Sequence, residues 1–169
     1  MEPTFQKAAL MLGGNTGNIQ LNFETAQRLL LEKAGEIEAV SSVYNSEPWG
    51  LSEQPEFINQ ALIISTLLQP LSLLEVCNEI EMQIGKNKTE VNGPRSIDID
   101  ILLYSDMVIQ LPGLTIPHPR LHLRKFNLLP LAEIAPDWIH PLLHTSIRQL
   151  LKNCTDSLHV EKTAWNETE

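Results

Sequence analysis

The chain has 169 residues, of which 43% are hydrophobic and 20% charged, a composition typical of one globular domain with a proper core. Its formal net charge of −9 argues against a nonspecific nucleic-acid binder, since such proteins carry a basic surplus. The two cysteines form no C-x-x-C pair, and no apolar run approaches the roughly 20 residues that span a membrane, so we expect a cytoplasmic protein without a membrane partner.

The first part of the chain alternates apolar runs with turn residues. Residues 8–12 are a short apolar run that predicts a buried strand. Apolar residues at helical spacing then predict a helix over 18–33, with Gly35 at its C-terminal cap. Residues 37–45 predict a second strand, and the proline and glycine content of 46–55 predicts a loop.

The middle of the chain repeats this alternation. Residues 56–67 predict a strand, and the capping box Ser72-Leu73-Leu74-Glu75 predicts the start of a helix that Gly85 ends. The polar loop 86–93 leads into an apolar strand that carries the sequence Ile97-Asp98-Ile99-Asp100.

The C-terminal third is rich in proline. Residues 107–109 suggest one more short strand, and the chain from Pro117 onward suggests short helices and loops. The order strand, helix, strand, strand, helix, strand is that of a ferredoxin-like α+β fold. We therefore predict a single domain over 1–169, an antiparallel ferredoxin-like sheet packed with helices, in which residues 1–7 and about 160–169 are loosely ordered.

The segment from Gly93 to Asp100 carries the richest chemistry. Because strand side chains alternate, Asp98 and Asp100 share one face, roughly 6–7 Å apart for a rise of about 3.3 Å per residue. Two carboxylates this close repel each other without a cation, and oxygen ligands suit Mg²⁺. Arg95 can pair with a phosphate as a bidentate fork. The segment predicts a Mg²⁺–nucleotide site; the alternative is a solvated strand face at a sheet edge.

Basic residues are concentrated around this segment. Six of the twelve lysines and arginines lie between positions 86 and 125, namely Lys86, Lys88, Arg95, Arg120, Arg124 and Lys125. Such a cluster in an acidic protein suits a polyanionic small molecule, although a chance run of surface charges is the alternative.

Two pairs of residues suit a heterocyclic ligand. Phe57 and Asn59 lie two apart on a predicted strand, where a ring beside an amide can hold a flat heterocycle; an ordinary core phenylalanine with a satisfied asparagine is the alternative. Asn78 and Glu81 share a face of a predicted helix, where they either contact a nucleotide or are solvated.

A second group of candidates follows the central strand. His118 lies between Pro117 and Pro119 in a constrained turn and could donate to a phosphate. His118 and His122 are four apart, a spacing of zinc ligands in a helix, but Pro119 opposes a helix there.

Six short motifs follow one another along the chain. They are Leu12-Gly13-Gly14-Asn15, Ser46-Glu47-Pro48-Trp49-Gly50, Gln54-Pro55-Glu56-Phe57-Ile58-Asn59, Gly93-Pro94-Arg95-Ser96-Ile97-Asp98-Ile99-Asp100-Ile101-Leu102, Leu114-Thr115-Ile116-Pro117-His118-Pro119-Arg120 and Leu129-Pro130-Leu131-Ala132-Glu133-Ile134-Ala135-Pro136. With them, nearly the whole chain resembles 6-hydroxymethyl-7,8-dihydropterin pyrophosphokinase, a family of the folate pathway. The Gly-Pro-Arg-x-x-Asp-x-Asp element followed by a Pro-His turn is specific to this resemblance.

The resemblance implies an enzyme that moves the diphosphate of ATP onto the pterin hydroxymethyl oxygen and releases AMP. It implies two Mg²⁺ ions on Asp98 and Asp100, and catalytic roles for Arg95, Lys86 and Lys88. The pterin contacts implied are Ser46, Pro48, Trp49, Phe57, Asn59 and Phe126. The ATP contacts implied are Asn78, Glu81, Lys88, Arg95, Ile101, Thr115, His118 and Arg124. The expected partners are these two small molecules, with no nucleic acid, and the expected state is a monomer.

The chain departs from the family pattern in three places. Lys86 and Lys88 stand where the family often has arginine, so charge is kept but the bidentate fork is lost. Asn92 replaces a common tryptophan before the Gly-Pro-Arg, and Pro119 replaces a common tyrosine. The changes at Lys86, Lys88 and Asn92 keep one alternative open, a nucleotide- or pterin-binding module without turnover. A further alternative is another Mg²⁺-dependent D-x-D phosphoryl or nucleotidyl transferase.

Overall fold

The structure is a computed structural model that describes residues 2–48, 53–85 and 96–165. Its strands are β1 Gln6–Gly14, β2 Gly35–Val40, β3 Val43–Ser46, β4 Phe57–Thr66, β5 Asp98–Tyr104, β6 Ile109–Leu111, β7 Leu114–Ile116 and β8 Val160–Thr163. Its α-helices are α1 Ile19–Lys33, α2 Pro70–Ile84, α3 Lys125–Ile134 and α4 Ile147–Asn153, and Leu121–Leu123 form a short 3₁₀ turn.

The main sheet has the order β5-β1-β4-β3-β8, with β2 also paired to β4. Every pairing in it is antiparallel. Since β2 and β3 follow each other along the same edge of β4, they act as one interrupted strand, which gives the order of a ferredoxin-like sheet. The predicted α+β class with an antiparallel sheet and packed helices is therefore confirmed.

The sheet has one core on each face, and the alternation of β1 divides its residues between them. Leu10 and Leu12 belong to the cluster that α1 and α2 cover, whereas Ala9 and Met11 belong to the cluster that α3 and α4 cover. Each fully buried leucine contributes about 1.5–3 kcal/mol relative to an exposed one. Both faces of the central strand are therefore held by apolar packing, which makes the sheet a rigid base for a site at its end.

Two glycines were predicted to end helices, and one of them does. Gly85 ends α2 in a left-handed conformation with φ 102°, as predicted. Gly35, predicted as the cap of α1, is instead the first residue of β2, and Ala34 is the C-cap. A Cβ on Gly35 would lie 2.0 Å from the Ser65 carbonyl oxygen, so only glycine fits where β2 starts against β4.

The predicted capping box at Ser72–Glu75 is wrong about where α2 starts. The helix begins at Pro70, and its N-cap is Gln69, three residues before Ser72, the N-cap that the capping box predicts. Proline suits the first turn because it has no N–H to leave unsatisfied there. The fixed backbone of Pro70 therefore decides the start.

The predicted strand 37–45 is broken at Ser41 and Ser42. The Ser41 hydroxyl accepts a hydrogen bond from the Ala61 N–H at 2.9 Å, and Gln60 donates to the Ser41 carbonyl oxygen at 2.9 Å. The Ser41 N–H also donates to the Ala61 carbonyl oxygen at 2.9 Å, so side-chain and backbone bonds together hold the break against β4.

The C-terminal segment corrects a further expectation. Residues 160–163, expected to be loosely ordered, form β8 and pair with β3, and Gln6 and Lys7 already belong to β1. Pairing satisfies the open edge of β3, and the Trp165 ring packs edge-on against Phe23 with 5.6 Å between centroids. Among the described helices, none is long and apolar enough to cross a membrane.

Candidate active site

A cavity of about 270 Å³ opens on the α3 face of the sheet, where β5, β1, β4 and β3 end together. Its lining comes from four strands, the Pro117–Arg120 turn and α3. The lining residues are Met11, Gly13, Ser46, Glu47, Phe57, Asn59, Asp98, Asp100, His118, Arg120, Phe126 and Asn127. The sequence-predicted residues among them are Ser46, Phe57, Asn59, Asp98, Asp100, His118 and Phe126.

One row across the sheet forms the floor of this cavity. Asp98 on β5 pairs with Gly13 on β1, and Gly13 pairs with Asn59 on β4. Gly13 has no side chain, and a Cβ there would lie 3.6 Å from Asn59 Oδ1. The glycine therefore leaves open space between a carboxylate and an amide that face the same cavity.

The paired carboxylates lie as strand alternation predicted. Ile97, Ile99 and Ile101 are buried in the core, while Asp98 and Asp100 line the cavity from the opposite face of β5. Within the described ranges, no cluster of three or more His, Cys, Asp or Glu side chains is arranged to hold a metal. Two carboxylates without soft ligands suit Mg²⁺, which completes its shell with water and phosphate oxygens. The donor set thus fits the magnesium expected from the sequence.

Asn59 is held in one orientation by β3. Its side-chain nitrogen donates to Ser46 Oγ at 2.8 Å and to the Tyr44 carbonyl oxygen at 3.4 Å. These two bonds assign Nδ2 toward β3 and Oδ1 toward Gly13. Asn59 therefore presents a buried carbonyl oxygen, an acceptor for an N–H group on a ligand edge.

A carboxylate on α3 clamps the strand that orients Asn59. Glu133 accepts hydrogen bonds from the Tyr44 hydroxyl at 2.7 Å, the Ser42 N–H at 2.6 Å and Lys162, whose Nζ is 3.2 Å away. Burial opposes ionisation of Glu133, but the bonds from Ser42, Tyr44 and Lys162 together lower its pKa. The clamp ties α3, which carries Phe126, to the β3 wall.

The two aromatic rings of the cavity come from different layers. Phe57 begins β4 in the sheet, and Phe126 lies in the first turn of α3. The guanidinium carbon of Arg124 is 5.8 Å from the centroid of the Phe126 ring, within cation–π range. Strand alternation alone places Phe57 at the cavity. Phe126 reaches the same cavity only because α3 docks against the sheet.

His118 lies beside the carboxylate strand. Its backbone N–H donates to the Leu102 carbonyl oxygen at 2.9 Å, and its Nδ1 accepts from the Arg120 N–H at 3.1 Å. Burial lowers the pKa of His118, and the nearby Arg120 lowers it further. The imidazole is therefore neutral at pH 7 with its proton on Nε2, which is a hydrogen-bond donor.

Several predicted nucleotide residues do not line the cavity. Asn78 is exposed on α2, whereas Glu81 is buried and accepts a hydrogen bond from the Ile99 N–H at 3.1 Å. Ile101 is in the core, and Thr115 is exposed on β7. Pro48 and Arg124 are described but are not lining residues. The predicted residues Trp49, Lys86, Lys88 and Arg95, and the departure at Asn92, lie outside the described residues.

Sequence reasoning missed four lining residues, Met11, Gly13, Glu47 and Asn127, and it named Arg120 only within the basic cluster. Gly13 and Glu47 stand inside motifs of the family, so a signal was present without a role attached to it. Met11 could have been found because it alternates with Gly13 on β1. Asn127 carries no local signal, since only the docking of α3 brings it to the cavity.

Comparison with known proteins places this geometry in a family. Residues 9–136 match the family model described as 7,8-dihydro-6-hydroxymethylpterin-pyrophosphokinase (HPPK). The chain belongs to this family. The resemblance stated from the motifs is thus confirmed.

Individual relatives support the assignment. The 2-amino-4-hydroxy-6-hydroxymethyldihydropteridine pyrophosphokinase of Synechocystis sp. is 40% identical over 88% of this chain and 77% of its own length. The folic acid synthesis protein fol1 of Schizosaccharomyces pombe is also 40% identical, over 89% of this chain. This chain spans only 21% of that longer protein.

A solved structure supports the fold. The crystal structure of Plasmodium falciparum HPPK-DHPS wild type with pteroate aligns with a TM-score of 0.72 at 20% identity, covering 90% of this chain and 43% of the Plasmodium chain. At 20% identity this likeness supports the fold alone.

Proposed function

We propose that the cavity on the α3 face is where this chain transfers the diphosphate of ATP to 6-hydroxymethyl-7,8-dihydropterin. One observation carries the proposal: the two carboxylates of β5 share a single cavity with two phenylalanines and an oriented amide. A metal–phosphate site beside a seat for a flat heterocycle is what a reaction between ATP and a pterin requires.

The pterin lies between the rings of Phe57 and Phe126 and is read at its edge by Asn59. Stacking between two rings suits a planar heterocycle, and the Asn59 carbonyl oxygen accepts from a ring N–H or amino group. The Ser46 hydroxyl accepts a hydrogen bond from the Asn59 amide and so fixes its orientation. The Tyr44–Glu133 hydrogen bond holds β3, which carries Ser46, against α3. Pro48 and Trp49 are proposed as further pterin contacts on the family resemblance.

The triphosphate lies along β5, where Asp98 and Asp100 would hold two Mg²⁺ ions. When bound, the metal supplies neutralisation of phosphate charge and lowers the pKa of a coordinated hydroxyl group. Neutral His118 donates from Nε2 to a phosphate oxygen. The remaining proposed nucleotide contacts are Asn78, Glu81, Ile101, Thr115, Arg124, Lys88 and Arg95. The charge that develops on the leaving nucleotide is proposed to be stabilised by Lys86, Lys88 and Arg95.

The chemistry is a single displacement at phosphorus. The pterin hydroxymethyl oxygen forms a bond to the β-phosphorus of ATP, the bond from that phosphorus to the α,β-bridging oxygen breaks, and AMP leaves with the electron pair. The hydroxyl proton goes to solvent. Because no covalent step falls to a side chain, the chain contributes orientation of the two substrates and neutralisation of charge.

A product assay tests the proposal. Purified protein is incubated with Mg-ATP, with and without 6-hydroxymethyl-7,8-dihydropterin, and the nucleotides are resolved by chromatography. AMP that forms only with the pterin supports the proposal. ADP would instead indicate γ-phosphoryl transfer or hydrolysis, and binding without either product would indicate a binding module; both results would overturn it.

The protein acts as a monomer in the cytoplasm under this proposal. Both cysteines are free, as expected in a reducing compartment. Sedimentation of the purified chain with a mass near 19.0 kDa is the expected result.

A further inference from the structure

The strongest unassigned feature is a carboxylate in the segment after α4. Asp156 lies outside residues 9–136, the part of the chain that matches the family. Its side chain is only 4% exposed, although it belongs to a connecting segment between α4 and β8. Buried carboxylates are rare unless they are paired, so the partners of Asp156 indicate its purpose.

The first partners of Asp156 are backbone groups. Its Oδ2 accepts from the Lys125 N–H at 3.1 Å, and its Oδ1 accepts from the Leu158 N–H at 3.1 Å. Lys125 is the first residue of α3, whose early N–H groups have no partner inside the helix. A carboxylate 31 residues away in sequence therefore caps α3, where the helix dipole also favours negative charge.

The second partner is the Arg124 side chain. Arg124 Nε is 3.4 Å from Asp156 Oδ2, and the Arg124 side chain is only 13% exposed. The same guanidinium lies 5.8 Å from the Phe126 ring centroid. Asp156 thus contacts Arg124, which is proposed to bind ATP. It also contacts the first turn of α3, which carries Phe126, the residue proposed to stack on the pterin.

The segment that carries Asp156 also reaches the opposite wall of the cavity. The His159 carbonyl oxygen accepts from the Glu47 N–H at 3.1 Å, and Val160 pairs with Ser46. Glu47 and Ser46 line the same cavity as Phe126. Residues 156–160 therefore contact both the start of α3 and the end of β3.

We propose that Asp156 is a positioning residue that fixes the Arg124 guanidinium and the Phe126 ring for substrate binding. This inference rests on the proposed roles of Arg124 and Phe126. Loss of the carboxylate removes one charged contact of the buried Arg124 side chain, so we expect the guanidinium to shift from its wild-type position. Asp156 touches no substrate itself and acts through these two residues.

The test uses Asp156→Asn and Asp156→Ala, with Asp137→Asn as the matched control. Asp137 is also paired with an arginine, Arg148, but that pair is on the surface. Pterin binding without ATP is measured by titration calorimetry, and the KM for ATP and kcat are measured by AMP release. We expect both Asp156 variants to weaken pterin binding and raise the KM for ATP by about fivefold or more, with Asp137→Asn unchanged.

A double-mutant cycle separates positioning from general destabilisation. If Asp156 acts through the ring, Asp156→Ala combined with Phe126→Ala weakens pterin binding no more than Phe126→Ala alone. Full additivity in variants with wild-type melting temperatures would overturn the proposal, as would wild-type binding by a folded Asp156→Asn. If Asp156→Ala does not fold, Asp156→Asn carries the cycle. Failure of the proposed function looks different, because the wild-type chain itself would then release no AMP.

Discussion

Tyr44 donates a 2.7 Å hydrogen bond from its hydroxyl to Oε1 of Glu133, and this bond joins strand β3 to helix α3. The two residues are 89 positions apart in sequence. Burial first, and then the hydrogen bond and charge of Glu133, raise the pKa of Tyr44, so the phenol stays protonated and remains the donor.

Removal of this bond weakens the joint between the two walls of the cavity. We expect Tyr44→Phe to lower the free energy of unfolding by about 1–2 kcal/mol, since a hydrogen bond to a charged group is lost. Urea denaturation measures the effect. In a Glu133→Gln background the same substitution should cost clearly less; an equal cost in both backgrounds would contradict a direct interaction.

The ionisation of Glu133 makes the stability that this contact contributes depend on pH. Because its folded-state pKa lies below the ordinary value of 4.5, ionised Glu133 contributes stability above pH 4.5, and that contribution is lost as pH falls through the folded pKa. Glu133→Gln should therefore flatten the stability profile below about pH 4.5. A profile identical to that of the wild type in this range would show that Glu133 is not ionised with these partners.

Substitution of either carboxylate of β5 should abolish turnover without unfolding the chain. We expect Asp98→Asn and Asp100→Asn to lower kcat by about a hundredfold or more, because each removes an oxygen ligand and a charge from the proposed metal site. AMP release measured over a range of Mg²⁺ concentrations checks this. Asp106→Asn, in the exposed turn after β5, is the control and should behave as the wild type. Near-native activity in either carboxylate variant would rule out its metal role.

The Phe126 ring should matter more for the pterin than for ATP. Stacking of a base-like ring on an aromatic side chain is worth about 1–3 kcal/mol, so Phe126→Ala should weaken pterin binding by about tenfold or more. Titration calorimetry with each substrate separately measures the two affinities. Phe5→Ala, a 60% exposed phenylalanine before β1, is the control. A larger loss of ATP affinity than of pterin affinity would contradict the stacking assignment.

Protonation of a buried histidine should limit stability on the mildly acidic side. Burial lowers the pKa of His140 below 6.5, and neighbouring His122 and His144 lower it further. The neutral ring accepts hydrogen bonds from the Leu142 and Leu143 N–H groups through Nδ1. Since the unfolded chain binds this proton first, stability should fall as pH drops below 6.5, toward the folded-state pKa.

His140→Asn tests this pH dependence, because its side-chain oxygen can take the place of Nδ1. We expect the variant to lose much of the stability change below pH 6.5 when thermal unfolding is followed across pH. His159→Asn, which alters an exposed histidine, should keep the wild-type slope. If the dependence of stability on pH is the same in His140→Asn as in the wild type, a group other than His140 causes the loss of stability below pH 6.5.

The two cysteines should react very differently. Burial raises the pKa of the Cys77 thiol to about 12, with smaller contributions from Glu81 and Asp100, whereas Cys154 is only partly buried. In native protein a thiol-specific reagent should modify Cys154 alone, and both should react after unfolding. Rapid modification of native Cys154→Ser would show that Cys77 is accessible.

Strand periodicity and motif order determined the sheet and one half of the site. The alternation in Ile97-Asp98-Ile99-Asp100 is a local property, so it placed the isoleucines in the core and the carboxylates on the cavity side. In the same way, Phe57 and Asn59 were predicted to share a face because they are two apart on a strand. The order of elements determined the ferredoxin-like class for the same local reason.

Predictions from sequence patterns were wrong or incomplete where contacts between elements decide the local structure. The strand β8 was missed because residues 160–163 are polar and short, and only the open edge of β3 makes them a strand. The start of α2 was misplaced because a capping box two residues inside the helix competes with Pro70. Glu81 was grouped with Asn78 by helical spacing, although packing against β5 buries only Glu81, beneath the Ile99 N–H.

By itself, the sequence determined the chemistry available to this protein: paired carboxylates, an aromatic–amide pair and the motifs of a pyrophosphokinase. Only the tertiary structure decided which groups meet. The docking of α3 brings Phe126 and Asn127 to the cavity that Asn59 lines, and Glu133 and Asp156 hold that helix through partners 89 and 31 residues away. Hydrogen bonds and packing over such separations depend on the folded position of whole elements, which periodicity within one element cannot encode.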